Sequence, residues 1–256
     1  MRLTANEMKY LFQLKFNSLF EFSAPAYDDK QISELLTEAQ FRVFLRRYNP
    51  LGNKYIKGAE SDEQRKRDLE QLIRAGLYTS NGDPIPDGVS EISQSDIQGG
   101  VHPNGIFFDM PNDFLYALEE AVKLEDSTIE SIVVPVTHDE YLANINNPFK
   151  KPYKRAVWRM EISRANHFDS GEEDSSTSKR TEIILPSGEV IEYYRLRYLA
   201  YPPNIVCNEY EPEKQMHCIL DGSLHRDIVD EAVSMAKAAV NPEEYQIGLS
   251  EQDRSN

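Results

Sequence analysis

Cys207, His217, Cys218 and His225 are the first side chains to suggest a function, because thiolates and imidazoles are common zinc ligands. Their spacing, C-x9-H-C-x6-H, lacks the short paired ligands of a zinc finger, so ordinary structural use is expected of them. His138 with Asp139 and Glu140 has the composition of a general acid–base group. Thr137 stands three residues before Glu140, however, and a capping box accounts for both, while an acidic first turn suits the helix dipole. Lys150, Lys151, Lys154, Arg155 and Arg159 form the densest basic cluster, interleaved with Phe149, Tyr153 and Trp158. Alone, such a cluster would suit nucleic acid; in a chain of net charge −15 an acidic protein surface, including another copy of this chain, fits better. Arg65-Lys66-Arg67 reads as a solvated helix face, with ion pairing between subunits as the alternative. The sequence carries no glycine-rich phosphate loop, helical zinc-protease pair, nucleophile elbow or calcium loop. It therefore offers no catalytic, metal or cofactor residues as candidates.

The charge balance narrows the classes further. Asp and Glu number 43 against 28 Lys and Arg, so the chain has no general means of neutralising phosphates, and a dedicated nucleic-acid grip is not expected. Met1 to Glu7 show no apolar leader core, and no stretch approaches the roughly 18 apolar residues of a membrane span, so neither signal-peptide secretion nor membrane insertion is expected. Two cysteines are too few for a disulfide framework and suit a reducing compartment. A length of 256 residues allows one to two domains at about 150 each. The 14 Tyr and 11 Phe favour side-chain interfaces.

The elements that must position these groups follow from periodicity. Thr4 and Glu7 form a capping box, and the apolar spacing after it predicts a helix from Thr4 to Phe22. Ile32, Leu35, Leu36, Ala39 and Val43 predict a second helix after Asp28-Asp29, and a third is expected over 61–75 with Gly76 as its stop. The polar stretch 79–104 reads as an extended arm or interface loop. From Gly105 the pattern becomes strand-like: 106–108, 115–124, 129–136, and the alternation of Trp158, Met160 and Ile162 with Arg159, Glu161 and Ser163, which predicts one buried face. Ile183 to Leu185, the turn Pro186 to Glu189, and Val190 to Ala200 read as a hairpin, with Tyr194, Leu196 and Tyr198 opposite Arg195 and Arg197. The acidic stretch 166–179 is expected as a mobile tip. Ser223 to Val240 reads as a helix with Ala-rich faces. Beyond Pro242, Tyr245, Ile247 and Leu249 alternate with polar residues between Glu243-Glu244 and Glu251, a C-terminal arm over 243–256 that would suit the basic cluster. The expected fold is α+β in a single domain, 1–256. Helical parts 1–78 and 221–242 pack together with a β-rich part, 105–203, carrying long hairpins.

A set of segments then resembles a known family. They are Phe22 to Tyr27, Ile32 to Tyr48 with Thr37-Glu38-Ala39-Gln40, Arg65 to Leu69, Met110 to Leu115 and Pro135 to Tyr141. Asn147 to Pro152, Val157-Trp158-Arg159, and His225 to Asp230 running on to Tyr245-Gln246 complete it. The pattern is similar to ring (stabilisation or adaptor) virion structural proteins of the head–tail junction in crAss-like short-tailed bacteriophages. The resemblance implies a homo-oligomeric, dodecameric ring beneath the portal protein, in contact with other ring and tail proteins. It implies DNA only as passing cargo, no membrane, no cofactor and no enzyme activity, in a virion assembled in the bacterial host cytoplasm. The competing classes are an intracellular enzyme with a non-local site and a monomeric adaptor; the first predicts a pocket with converging polar groups.

Overall fold

The computed structural model describes residues 2–17, 27–48, 67–94, 100–162, 179–208 and 211–240. The chain groups into two compact units, Met1–Leu72 with Pro202–Asn256, and Ile73–Tyr201.

The first unit is helical: α1 (Ala5–Asn17) and α2 (Asp29–Tyr48) each contact the C-terminal helix, His225–Val240. The capping box of α1 is formed, with the Thr4 N–H donating to Glu7 at 2.8 Å and the Glu7 N–H donating back to Thr4 Oγ1 at 3.3 Å. Asp28 and Gln31 make the same exchange at the start of α2, at 2.7 and 3.1 Å. Ile228, Val229, Ala232, Val233 and Ala236 are buried, and the small side chains among them let the helix axes approach closely. Ser33, Thr37 and Gln40 lie along one face of α2 and hold an extended segment through its backbone. Ser33 Oγ accepts from the Cys207 N–H at 2.9 Å, Thr37 Oγ1 from the Ile205 N–H at 3.0 Å, and Gln40 Nε2 donates to the Pro203 carbonyl at 2.8 Å. A non-helical segment can be buried this way because its polar groups are satisfied by side chains.

The second unit is one sheet. Its strands are β1 (Ile73–Thr79), β2 (Val89–Glu91), β3 (Ser93–Gln94), β4 (Gly105–Asp109), β5 (Phe114–Leu124), β6 (Glu130–Pro135), β7 (Ala156–Ile162), β8 (Arg180–Ile184) and β9 (Ile191–Ala200). They are hydrogen-bonded in the order β2-β1-β9-β5-β6-β7-β8-β4-β3. The strands at the two ends of that order, β2 and β3, are separated in sequence by Ile92 alone. One short segment therefore pairs with β1 through its first half and β4 through its second, and the sheet closes into a nearly complete barrel. The interior holds Ile92, Phe108, Val122, Leu124, Val157, Ile183, Tyr194, Leu196 and Tyr198. On the outside, α3 (His138–Asn144) covers Trp158, Met160 and Ile184 with Tyr141. Its predicted capping box is formed, with Thr137 as N-cap and Glu140 reciprocating.

The α+β class, the terminal helices and the strands at 105–109, 114–124 and 130–135 follow the sequence expectation, while several finer expectations are corrected. The third helix does not extend to 75. Helical turns end at Leu72 and Ile73 begins a strand, so the helical unit stops short of residue 78. Gly76 sits inside β1 rather than ending a helix, because a Cβ there would lie 2.9 Å from Ile92 Cδ1, and the closing segment needs that space. The 79–104 stretch is not one loop, since β2 and β3 lie within it. β7 is buried on both faces from Ala156 to Met160, because α3 covers the side away from the barrel. The segments 180–184 and 191–200 do not form a hairpin; β8 pairs with β7 and β4, and β9 with β1 and β5. The β7–β8 ladder flanks 163–178, which lies outside the described residues, as do residues 61–66 of the predicted helix over 61–75 and the arm 243–256.

Gly76→Val drives two methyl groups into the space of Ile92 and is expected to cost about 1–3 kcal/mol in chemical denaturation. Adding Ile92→Ala should recover part of the loss. Undiminished stability of the single variant would show that the Gly76–Ile92 contact does not seal the barrel.

Candidate functional site

The basic cluster divides in two. Lys150, Lys151, Lys154 and Arg155 are exposed on the stretch between α3 and β7, whereas Arg159, predicted as a surface residue with them, is 9% exposed. Arg159 shares the inward parity of Val157 on β7, and its guanidinium lies 2.6 Å from Glu120 and 3.0 Å from Glu161. Glu120 also accepts from the Tyr194 hydroxyl at 2.5 Å, and burial with this carboxylate beside it pushes the Tyr194 phenol well above its ordinary range. The position of the ion pair has a reason. β5 and β6 pair only at Ala121–Lys123, so the ladder stops at Glu120, and Arg159 reaches from β7 to hold β5 where backbone pairing has ended.

The exposed part of the cluster is fixed by backbone anchors. Tyr153 and Ala156 exchange hydrogen bonds at 3.0 and 2.9 Å, leaving Lys154 and Arg155 at the tip of a tight turn. Ser131 Oγ donates to the Lys154 carbonyl at 2.6 Å and the Ile132 N–H to the Arg155 carbonyl at 3.0 Å, tying that turn to β6. Asn147 Oδ1 accepts from the Phe149 N–H at 3.0 Å, and the Asn147 carbonyl accepts from Lys151 at 2.9 Å, which presents the Phe149 ring outward. Lys154 pairs with Glu189 at 3.0 Å; Lys150, Lys151 and Arg155 have no ion-pair partner among the described residues. Tyr245, Ile247 and Leu249 lie outside the described residues.

The histidines and cysteines of 207–225 are engaged structurally, whereas His138 and Asp139 stand exposed on the first turn of α3. His217 Nδ1 accepts from the Ala5 N–H at 3.1 Å and His225 Nδ1 from the Leu3 N–H at 3.0 Å, so both satisfy backbone donors at the start of α1. The Nε2 proton of His225 goes to the Leu220 carbonyl at 3.1 Å. Burial pushes the Cys218 thiol up to about 11 and raises that of Cys207, so neither is a poised nucleophile. Among the described residues no group of three or more His, Cys, Asp or Glu side chains converges to hold a metal, and no helix is long and apolar enough to cross a membrane. A cleft of about 340 Å³ beside His138 is lined by Pro135, Val136, Thr137, Arg159, Met160 and Glu161, where Thr137 serves the cap and Arg159 the ion pairs.

Sequence reading missed one buried polar site, around Glu182. This side chain is fully buried and accepts from the His102 backbone N–H at 2.8 Å, with His102 Nδ1 also 2.8 Å away. Gly100 and Gly105 make its cradle, since a Cβ at either would lie 1.9 and 2.1 Å from Glu182 Oε1. The His102 ring rests against Tyr141 at 4.1 Å, so this polar pair clamps the 100–105 loop onto the covered outer face of the sheet. The spacing of the two glycines about His102 was a visible signal, but their carboxylate partner lies far along the chain.

A nearly closed barrel bearing an anchored basic, aromatic turn on its surface is an α+β unit without a converging catalytic or metal centre among the described residues, and comparison with known proteins gives its class. The family described as phage tail ring protein 3/4 matches residues 3–246. Ring protein 4/5 of Bacteroides phage crAss001 is 27% identical over 247 residues, covering 93% of each chain. Ring protein 3 of the same phage is 24% identical over 249 residues, covering 91% of this chain and 95% of the relative. The chain belongs to the crAss-like phage tail ring protein 3/4 family.

Two predictions test the structural roles assigned above. Arg159→Met leaves Glu120 buried without its counter-charge and is expected to lower stability by about 3–5 kcal/mol in chemical denaturation. Adding Glu120→Gln, which keeps an acceptor for Tyr194, should recover part of it; a neutral single variant would rule out the strand-tying role. Burial also lowers the pKa of His225 from 6.5. The unfolded chain therefore takes up this proton first as pH falls, and stability should decline from about 6.5 downward until the folded pKa is passed. Thermal melts of His225→Gln should show a shallower decline in that window, and an unchanged slope would exclude His225 as its source.

Proposed function

We propose that the chain is a non-enzymatic virion subunit, many copies of which form a dodecameric ring in the portal–tail connector. In this reading it stacks with the portal protein and other ring and tail proteins, is assembled in the host cytoplasm, and encircles the path of the DNA. The family match across residues 3–246 carries the reading, because it takes in both compact units. Two physical features support it. Thr137 and Glu140, His102 and Glu182, and Arg159 and Glu120 are occupied in a cap, a clamp and an ion pair, while the basic turn and nearby apolar side chains stand open. A net charge of −15 also disfavours adhesion to a phosphate backbone, so a wall built of such subunits lets a genome slide where a basic wall would hold it.

The test is to locate and count the chain in purified particles by cryo-electron microscopy and quantitative mass spectrometry. A closed ring at the portal vertex, in dodecameric stoichiometry, is the expected result. Its absence from particles would reject the reading, and a different copy number would reject the dodecamer.

A further inference from the structure

β6 runs between β5 and β7, yet Ile132, which is 62% exposed, and Val134 stand open on its outer side. Aliphatic side chains on the outer face of an interior strand mark a surface that something covers. Tyr153, 54% exposed, adjoins them through the turn paired to Ala156, the ladder partner of Ile132. Phe149, 91% exposed, lies on the turn leading into it. Lys150, Lys151 and Arg155 stand among these groups without acidic partners among the described residues. Because Ser131 and Ile132 fix the turn's carbonyls, this is a built surface, not a chance meeting of long side chains. Its complement is a segment with apolar side chains at strand spacing flanked by carboxylates.

We propose that this surface receives residues 243–251 of a neighbouring copy of the chain. Tyr245, Ile247 and Leu249, which share one face when the backbone is extended, cover the apolar side chains, and Glu243, Glu244 and Glu251 meet Lys150, Lys151 and Arg155. The chain continues from Val240, the end of the last helix, to Asn256, a length that spans up to about 50 Å when extended. That is long enough to leave its own subunit. The proposal rests on the ring reading: in a head-to-tail ring each subunit offers one receiving surface and one segment, so the exchange satisfies both at every position.

Phage particles carrying the full chain with Phe149→Cys and Leu249→Cys, treated with a short bis-maleimide, provide the test. The native Cys207 and Cys218 are buried and stay unreactive. A ladder of dimers and higher multiples that requires both new cysteines is expected. Cross-linking confined to single chains would overturn the proposal in favour of self-docking, and so would no cross-link at all. Charge reversal supplies a second readout: Lys150→Glu with Lys151→Glu should reduce incorporation into particles at least tenfold, and Glu243→Lys with Glu244→Lys on the same chain should restore most of it. Loss without rescue, or undiminished incorporation, would count against the contact. Failure of the ring reading is distinguishable, because the chain would then be absent from particles or present in single copy, whatever the cross-linking pattern.

Discussion

The second unit depends on closure at one short segment. Val89 to Gln94 must pair with β1 and then with β4, and it can do so only because Gly76 leaves room for Ile92 to turn inward between the two pairings. Once that contact is made the sheet has no long free edge, and the alternation of each strand sorts its side chains into an interior and an exterior. The interior position of Val157 sets that of Arg159, and those of Val122 and Leu124 set that of Glu120, which brings the ion pair together where the β5–β6 ladder ends. The outward set, Trp158, Met160 and Ile184, calls for the cover that α3 supplies.

The parts legible in the sequence are those whose causes are local. Both predicted capping boxes formed, since Thr4 with Glu7 and Thr137 with Glu140 involve residues three apart. The C-terminal helix and the strands from 105 onward were readable from periodicity for the same reason. The misses all depend on partners far along the chain. Gly76 looks like a helix stop until Ile92 is known to press on it. The turn at 186–189 promises a hairpin, but β8 pairs with β7 and β4 and β9 with β1 and β5, partners that lie far from the turn along the chain. Arg159 looks like a member of a basic surface cluster because sequence shows neighbours along the chain, and only the parity of the closed sheet shows which side it faces. Lys150, Lys151, Lys154 and Arg155 of the same cluster are all on the surface.

The histidines and cysteines show how ligand-like residues can be needed for structure alone. The start of α1 has backbone donors with no intrahelical acceptor. His217 and His225 supply acceptors from a distant part of the chain, and Cys207 Sγ lies 3.4 Å from the Ala5 carbonyl. A neutral imidazole is needed for this, because a protonated one has no lone pair left to accept with. The first helix is thereby joined to the segments that precede the last, and the helical unit is assembled from the two ends of the chain.

Closure also limits how neighbouring subunits can meet. A sheet without long free edges offers little for strand addition, so in the proposed ring, contact through this unit falls to side chains on its faces and turns. Such contacts draw their specificity from shape and charge, and here nearly all the cations of the sheet are already committed: Arg74, Arg159, Arg180, Arg195 and Arg197 each face a carboxylate. Lys150, Lys151 and Arg155 of the 150–155 turn are thus set apart from these committed cations of the sheet. Because these charges are exposed, their pairing is weakened by salt within a Debye length of about 8–10 Å, while the apolar side chains beside them are insensitive to that screening. In the proposed contact, attraction that selects the partner and burial that retains it are in this way assigned to different residues of one surface.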